Sequence, residues 1–262
     1  MPRLRTYFIV FAILQATNPI FTHYLYDVSK DHIEWIDKNI RCPALTWYMH
    51  FCSVYGDGGE FPTLYVIIGA LNINKGGFNS LYLMNYFMHT TLMGCYMTFA
   101  LKPLFIASRP FFDDIKYADM GIKDCSAEFG NPSAHSLLAT QTIPILLWQF
   151  QEVFRDLMQR NRCLKYSSDF VMYTFMVSIC YSRVYVGRHS FDQVINGALV
   201  GFLLAHFSWH YYKPLLNHCI DPRTTRNDSW KHFRISFWIY CAILVIQHAS
   251  FYYIENYVEI PE

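Results

Sequence analysis

Three short islands of polar residues carry the side chains able to do chemistry. Lys102 is followed after six residues by Arg109-Pro110, then comes Asn131-Pro132-Ser133-Ala134-His135, and finally Ser182-Arg183 is followed after five residues by His189. Each island sits at the edge of a long apolar run, where side chains from different helices can converge at a membrane surface and where charge is costly to place without a use. Two Arg, one Lys, one Ser and two His are the parts of a phosphate site. Arg forks pair with phosphate oxygens in bidentate fashion and Lys adds a point charge. Ser133 and the main-chain N–H groups at a helix start near 133 can donate to an anion. One imidazole can attack phosphorus and the other can protonate the leaving oxygen. Taken singly, each island has an ordinary reading: a Lys or Arg at a helix end snorkels to the interface, and a His in an aromatic-rich span packs. All three in this order, on one expected face, point to an anion or phosphate site.

The elements that position these islands follow from composition. Hydrophobic residues make up 53% of the 262, aromatics 18% and charged residues 16%, the last well under the roughly 25% of a soluble domain. An all-α, polytopic membrane bundle of about six transmembrane helices is expected. The formal net charge of +1 gives no ground for a nucleic-acid partner. The eight cysteines show no paired short spacing, so no zinc or redox motif is present. Cys42, Cys52 and Cys125 can share one side of the membrane and pair, but buried free thiols are the simpler reading.

Residues 1–60 read as an N-terminal interfacial, amphipathic segment and 61–262 as the transmembrane domain. Arg3 and Arg5 precede a short apolar run, Tyr7–Leu14, which Gln15, Asn18 and Pro19 end, so a half-inserted helix is expected there. Val28, Ile33, Trp35, Ile36 and Ile40 alternate with charges as in a second helix lying on the membrane. Spans are expected at 61–73 (short for the ~20 residues needed), 78–101, 133–150 with Pro144 kinking it, 169–186, 192–212 and 233–254, with a tight turn at 74–77 and a basic loop at 151–168. The loops at 74–77, 151–168 and 213–232 share one face and carry nine Lys or Arg. The positive-inside rule puts that face in the cytoplasm and the three islands on the lumenal or extracellular side. The sequon Asn227-Asp228-Ser229 then faces the cytoplasm and is expected to carry no glycan.

The islands resemble the three-part signature of the type 2 phosphatidic acid phosphatase and vanadium haloperoxidase superfamily. That signature reads Lys, six residues, Arg-Pro; then Pro-Ser-Gly-His; then Ser-Arg, five residues, His, three residues, Asp. The resemblance spans about residues 60–212. It implies that His189 is a nucleophile forming a phosphohistidine, and that His135 is the general acid and then the base for water. It further implies that Lys102, Arg109, Ser133 and Arg183 hold the phosphate, with no metal or cofactor needed. Two positions depart from the pattern. Ala134 replaces the glycine of Pro-Ser-Gly-His and keeps its backbone N–H as a donor. Gln193 replaces the Asp that orients the nucleophile, and Asp192 lies one residue early. A one-residue step turns a helical side chain by about 100°, so Asp192 is expected to miss His189, leaving Gln193 to accept from its imidazole. The run from Ser182 to Gly201, with its Gln193, is also similar to the glucose-6-phosphatase branch, while the chain length is similar to small lipid-phosphate phosphatases.

Other clusters read as structural. His206 and His210 have i, i+4 metal spacing but no partner pair. The acidic residues Asp113, Asp114, Asp119, Asp124 and Glu128 read as a solvated loop bordering a basic pocket. The resulting expectation is a membrane-embedded phosphatase acting on a lipid or sugar phosphate, in the endoplasmic reticulum or another endomembrane. Its partners are the bilayer and the phosphorylated substrate. A catalytically weakened or inactive phosphatase-like subunit of a membrane complex, with partner subunits, is the reading from a different class that Ala134 and Gln193 leave open, and a lipid-headgroup transferase is a third.

Overall fold

Long apolar runs broken by single polar residues build a helical bundle whose polar groups are turned inward. The computed structural model describes residues 4–55, 74–75, 78–113 and 129–213, and the isolated positions 245 and 249. The expected spans at 61–73 and 233–254, the acidic residues from Asp114 to Glu128, Cys125 and the Asn227 sequon lie outside the described residues, apart from those two isolated positions. In chain order come α1 (Leu4–Asn39), α2 (Pro43–Tyr55), the strands β1 (Asn74–Lys75) and β2 (Phe78–Asn79), α3 (Ser80–Phe105), α4 (Pro110–Asp113), α5 (Ala134–Val153), α6 (Arg155–Arg160), α7 (Arg162–Tyr185) and α8 (Phe191–Phe207). The last continues as a π-helical turn, Ser208–Tyr212. The two short strands pair antiparallel around the expected 74–77 turn and are the sole exception to helix among the described elements.

The amino terminus differs from its expectation. The apolar run and the amphipathic run are one continuous 36-residue helix that carries Pro19 inside it. Gln15, which reads as a helix terminator, instead donates to Asn196 Oδ1 of α8 at 3.2 Å, so packing against α8 overrides local propensity. Among the described residues α1 alone is long and apolar enough to cross a membrane by itself. The other long helices carry polar groups on their buried faces, such as Gln141 and Thr142 on α5, which lowers their mean hydropathy. Phe8, Ile9, Ile13, Ile20 and Phe21 of α1 and Phe170, Val171 and Val177 of α7 are exposed, as lipid-facing residues are.

The basic stretch expected as a loop at 151–168 is mostly helical. Asn161 Oδ1 accepts from Leu164 N at 3.1 Å and caps α7, so α7 starts well before the expected span. Cys42 is an exposed free thiol and Cys52 a buried one.

α5 is the central helix. It packs on α8, α7 and α3, while α1 lies on α8 and α2 on α7. Lipid tails are as apolar as leucine, so small residues and hydrogen bonds rather than hydrophobicity draw membrane helices together. Gly197 and Gly201, one turn apart on α8, provide this approach. A Cβ on Gly197 would stand 2.6 Å from the Ser133 carbonyl oxygen, and one on Gly201 would stand 2.1 Å from that of Leu137. Gln141 Nε2 donates to the Thr90 carbonyl at 2.7 Å and pins α3 to α5. Around this seam Tyr86, Phe87, Ala139, Ile143, Ile145, Ile179 and Ala205 form one buried cluster. At the end of the bundle opposite the islands, Lys213 pairs with Glu152.

Candidate active site

The three islands meet at the amino-terminal ends of α5 and α8. Lys102 lies in the last turn of α3 and is 6% exposed. The chain then reverses at Ile106, whose φ of 41° is left-handed, a costly conformation for a β-branched residue. The reversal leaves two carbonyls available to neighbours. Ala107 O accepts from Gly130 N at 2.8 Å, and Ser108 O accepts from Gln193 Nε2 at 2.6 Å. Arg109 follows, 4% exposed, with its guanidinium 5.9 Å from the centre of the Phe111 ring.

Ser133 caps α5. Its Oγ accepts from Ser136 N at 3.5 Å and from Ser136 Oγ at 3.1 Å, while its own N–H donates to the Gln193 carbonyl at 3.0 Å. The N–H of Ser133 is therefore spent on α8 and its carbonyl on Leu137 N of α5, and the hydroxyl proton remains its group for a substrate. Ala134 and His135 open the first turn of α5, where unpaired N–H groups and the helix dipole favour an anion.

Arg183 ends α7 and is 5% exposed. Its carbonyl accepts from both Arg188 N (3.0 Å) and His189 N (3.1 Å), closing the loop that holds His189; Gly187, with φ 70°, makes the turn. The Arg183 Nη1 donates to Ser53 Oγ on α2. His189 is 2% exposed, and its Nδ1 lies 3.0 Å from Gln193 Oε1. Because the amide nitrogen of Gln193 donates to Ser108 O, the oxygen end must face the imidazole. Nδ1 then carries the proton, and the Nε2 lone pair is free to attack. Gln193 also accepts from Ser190 N at 3.4 Å, so one side chain joins the His189 loop, the α8 amino terminus and the Arg109 loop. A Cβ at Gly130 would fall within 2.7 Å of three Gln193 side-chain atoms, so glycine there leaves room for the amide. Asp192 is 1% exposed and turned elsewhere, its Oδ1 accepting from Ser190 Oγ at 2.5 Å.

The cations converge on the two imidazoles. Arg183, Arg109, Lys102 and Arg188 all act electrostatically on His135, and Arg109, Arg183 and His135 act on His189. His189 lies in the loop between α7 and α8. Burial, reinforced by Arg109 and Arg183, holds its imidazole well below the usual histidine range, against a smaller opposing effect of Gln193. It is therefore neutral, as a nucleophile must be, and the acid limb of activity is expected below the ordinary histidine pKa of about 6.5. Gln193→Glu should move that limb up by about one pH unit or more, because a carboxylate favours imidazolium. It should also lower kcat at the optimum, since Glu cannot donate to Ser108 O. A kcat/KM profile against pH checks both; an unmoved limb would mean that His189 does not set it.

The structure thus brings together Lys102, Arg109, Ser133, Ala134, His135, Arg183, His189 and Gln193. It adds residues that the three islands did not single out: Arg188, Ser53 behind Arg183, Gly130 behind Gln193, and Asn196, whose Nδ2 donates to Asn131 Oδ1 at 2.9 Å. Of these, Arg188 had a visible signal in its place directly before His189. His206 packs edge-on against Trp148 and Phe202 and lies tilted beside His210 with ring centroids 5.6 Å apart, and among the described residues no group of three His, Cys, Asp or Glu side chains could hold a metal ion.

Comparison with known proteins agrees with this architecture. The family model of the PAP2 superfamily matches residues 82–216, more than half of the chain and all three islands, and the chain belongs to that superfamily. It is similar to a dihydrosphingosine 1-phosphate phosphatase of Schizosaccharomyces pombe, 28% identical over 121 residues, which are 45% of this chain and 28% of that protein. The match therefore spans less than a third of the relative's length. The fold is that of the first transmembrane PAP2 type phosphatidylglycerolphosphate phosphatase from Bacillus subtilis, with a TM-score of 0.60 and 22% identity over 80% of this chain and 95% of that one.

Proposed function

We propose that this chain is a membrane-embedded, metal-independent phosphoric monoester hydrolase that passes phosphate from a lipid phosphate to His189 and then to water. The observation that carries the reading is the Nδ1–Gln193 hydrogen bond, which leaves His189 Nε2 as a lone-pair donor beside Arg109 and Arg183, with Lys102 acting on the neighbouring His135. Nε2 attacks phosphorus in line, forming a P–N bond as the ester P–O bond breaks. His135, protonated once the negative charge of the bound phosphate offsets the four cations around it, gives its proton to the departing alkoxide. It then takes a proton from water, which attacks the phosphohistidine and returns His189 and inorganic phosphate. The cations and the α5 amino terminus balance charge on the equatorial oxygens throughout.

A lipid substrate is favoured over a sugar phosphate because both relatives described above are named for lipid phosphates and because α1 and α7 present apolar faces to their surroundings. The Lys and Arg residues at 74–77, 151–168 and 213–232 favour a site on the lumenal side of an endomembrane, such as the endoplasmic reticulum. Residues 1–60 then belong to the membrane-associated amino terminus and 61–262 to the phosphatase domain. The test is phosphate release by purified protein from sphingoid-base phosphate and phosphatidate in mixed micelles, compared with glucose 6-phosphate. Lipid phosphates should turn over faster, with inhibition by orthovanadate and none by EDTA. Release from none of them would sink the hydrolase reading in favour of a non-catalytic membrane subunit, and capture of the phosphate by an alcohol would make the protein a transferase.

A further inference from the structure

Helix α1 is apolar along much of its length, yet it carries a polar stripe. Gln15, Thr22 and Ser29 are spaced by seven residues, which keeps them on one helix face with a drift of about 20° per step. All three meet the first turns of α8. Ser29, fully buried, accepts from Phe191 N at 2.7 Å and donates to its own Leu25 carbonyl at 2.5 Å. Thr22 faces Asp192, which holds Ser190 Oγ. Gln15 donates to Asn196 Oδ1, and Asn196 in turn donates to Asn131, so this chain of bonds runs from α1 through α8 to the turn that precedes Ser133.

The position of Phe191 gives these bonds their consequence. Its N–H belongs to the first turn of α8, where no intrahelical acceptor exists. Gln193 Oε1 already serves both Ser190 N and His189 Nδ1. Ser29 supplies the acceptor for the next N–H, and Gln193 is left to hold the imidazole. Polar groups buried on an apolar helix are costly unless bonded, so the two bonds to α8, from Gln15 and to Ser29, mark a fixed register between the two helices.

We propose that α1 is a working part of the active site: Ser29, with Gln15 behind it, is a positioning residue that fixes the first turn of α8 and through it His189 and Gln193. The reading of His189 as nucleophile comes from the proposed function; the positioning by α1 is separable from it. The experiment uses the full chain in detergent, with Ser29→Ala, Ser29→Thr and Gln15→Ala. Orthovanadate forms an apical bond to the nucleophile, whereas inorganic phosphate needs only the cations. Ser29→Ala should lower kcat and orthovanadate affinity together, by about ten- to thirtyfold, as a misplaced reacting group does. Phosphate affinity should stay within about threefold, because no cation is touched. Ser29→Thr keeps the hydroxyl and should recover most of the loss, and Gln15→Ala should show a smaller loss in the same direction.

Unchanged kcat and orthovanadate affinity in Ser29→Ala would overturn the proposal. So would equal loss of both anions with no recovery in Ser29→Thr, which is general loosening. If Ser29→Ala does not fold, Gln15→Ala must show the orthovanadate-selective loss, and its absence overturns the proposal equally. Should the wild-type chain hydrolyse no phosphoester, the hydrolase reading fails, while the two anion affinities still decide the role of α1.

Discussion

His189→Ala is expected to abolish phosphate release, with kcat lower by at least about 10⁴-fold, as for other covalent nucleophiles, while inorganic phosphate still binds. The side chain is buried between α7 and α8 and contributes one hydrogen bond, to Gln193. Its removal leaves Lys102, Arg109 and Arg183 on their own elements, at the ends of α3 and α7 and in the loop between α3 and α4. Phosphate affinity should therefore change little, and orthovanadate, deprived of its apical nitrogen, should bind no better than phosphate. The His135→Ala loss should be smaller, about 10²- to 10⁴-fold, because a general acid assists a step that the nucleophile makes possible. Single-turnover kinetics with anion titrations measure both. Equal, modest losses in the two variants would place the nucleophile elsewhere.

Gly201→Val should have the largest effect on folding. The first carbon added there would stand 2.1 Å from Leu137 O and 2.2 Å from Thr140 Oγ1. The carbonyl is helix backbone and cannot rotate away, so α5 and α8 must part. Those helices carry Ser133 and His135 on one side and Gln193 on the other, and Ser133 N donates to Gln193 O at 3.0 Å across the seam. A cost of about 3 kcal/mol or more is expected, at the upper end for overpacking, with loss of activity at temperatures where the wild type is folded. Leu199→Ala, two residues away and exposed, should stay within about 0.5 kcal/mol of wild type as a surface change. Thermal unfolding of the three proteins in one detergent checks this; a Gly201→Val protein as stable as the Leu199 control would show that the helices are not held at this distance.

The site was largely legible in the sequence because its parts are local. Each island is a helix end with its own charged residue or imidazole, and the spacing of Ser182-Arg183 to His189 is the length of one closed loop, sealed by two N–H groups on the Arg183 carbonyl. The rotation of Asp192 away from His189 followed from helix geometry alone. What could not be read is what depends on distant partners. Gln15 and Pro19 look like terminators because local propensity cannot know that Asn196, 181 residues away, accepts from Gln15. Ser29 looks like any helix serine until Phe191 N is placed against it. The value of glycine at 130, 197 and 201 likewise lies in which atoms come near. Gln193 carried an ambiguous signal, since an uncharged orienting group is equally a mark of weakened or lost activity. Its second bond, to Ser108 O, is what makes the amide a link between the nucleophile and the Arg109 loop.

The most direct test is to quench the enzyme at acid-labile-safe, alkaline pH during turnover of a ³²P-labelled lipid phosphate and to locate the label by peptide mapping. Label that is acid-labile, alkali-stable and confined to the peptide carrying His189, absent from His189→Ala and present in His135→Ala, is the expected result. Turnover of the same substrate with no protein-bound phosphate in His135→Ala, or with label on another residue, would contradict the assignment of His189 as the nucleophile.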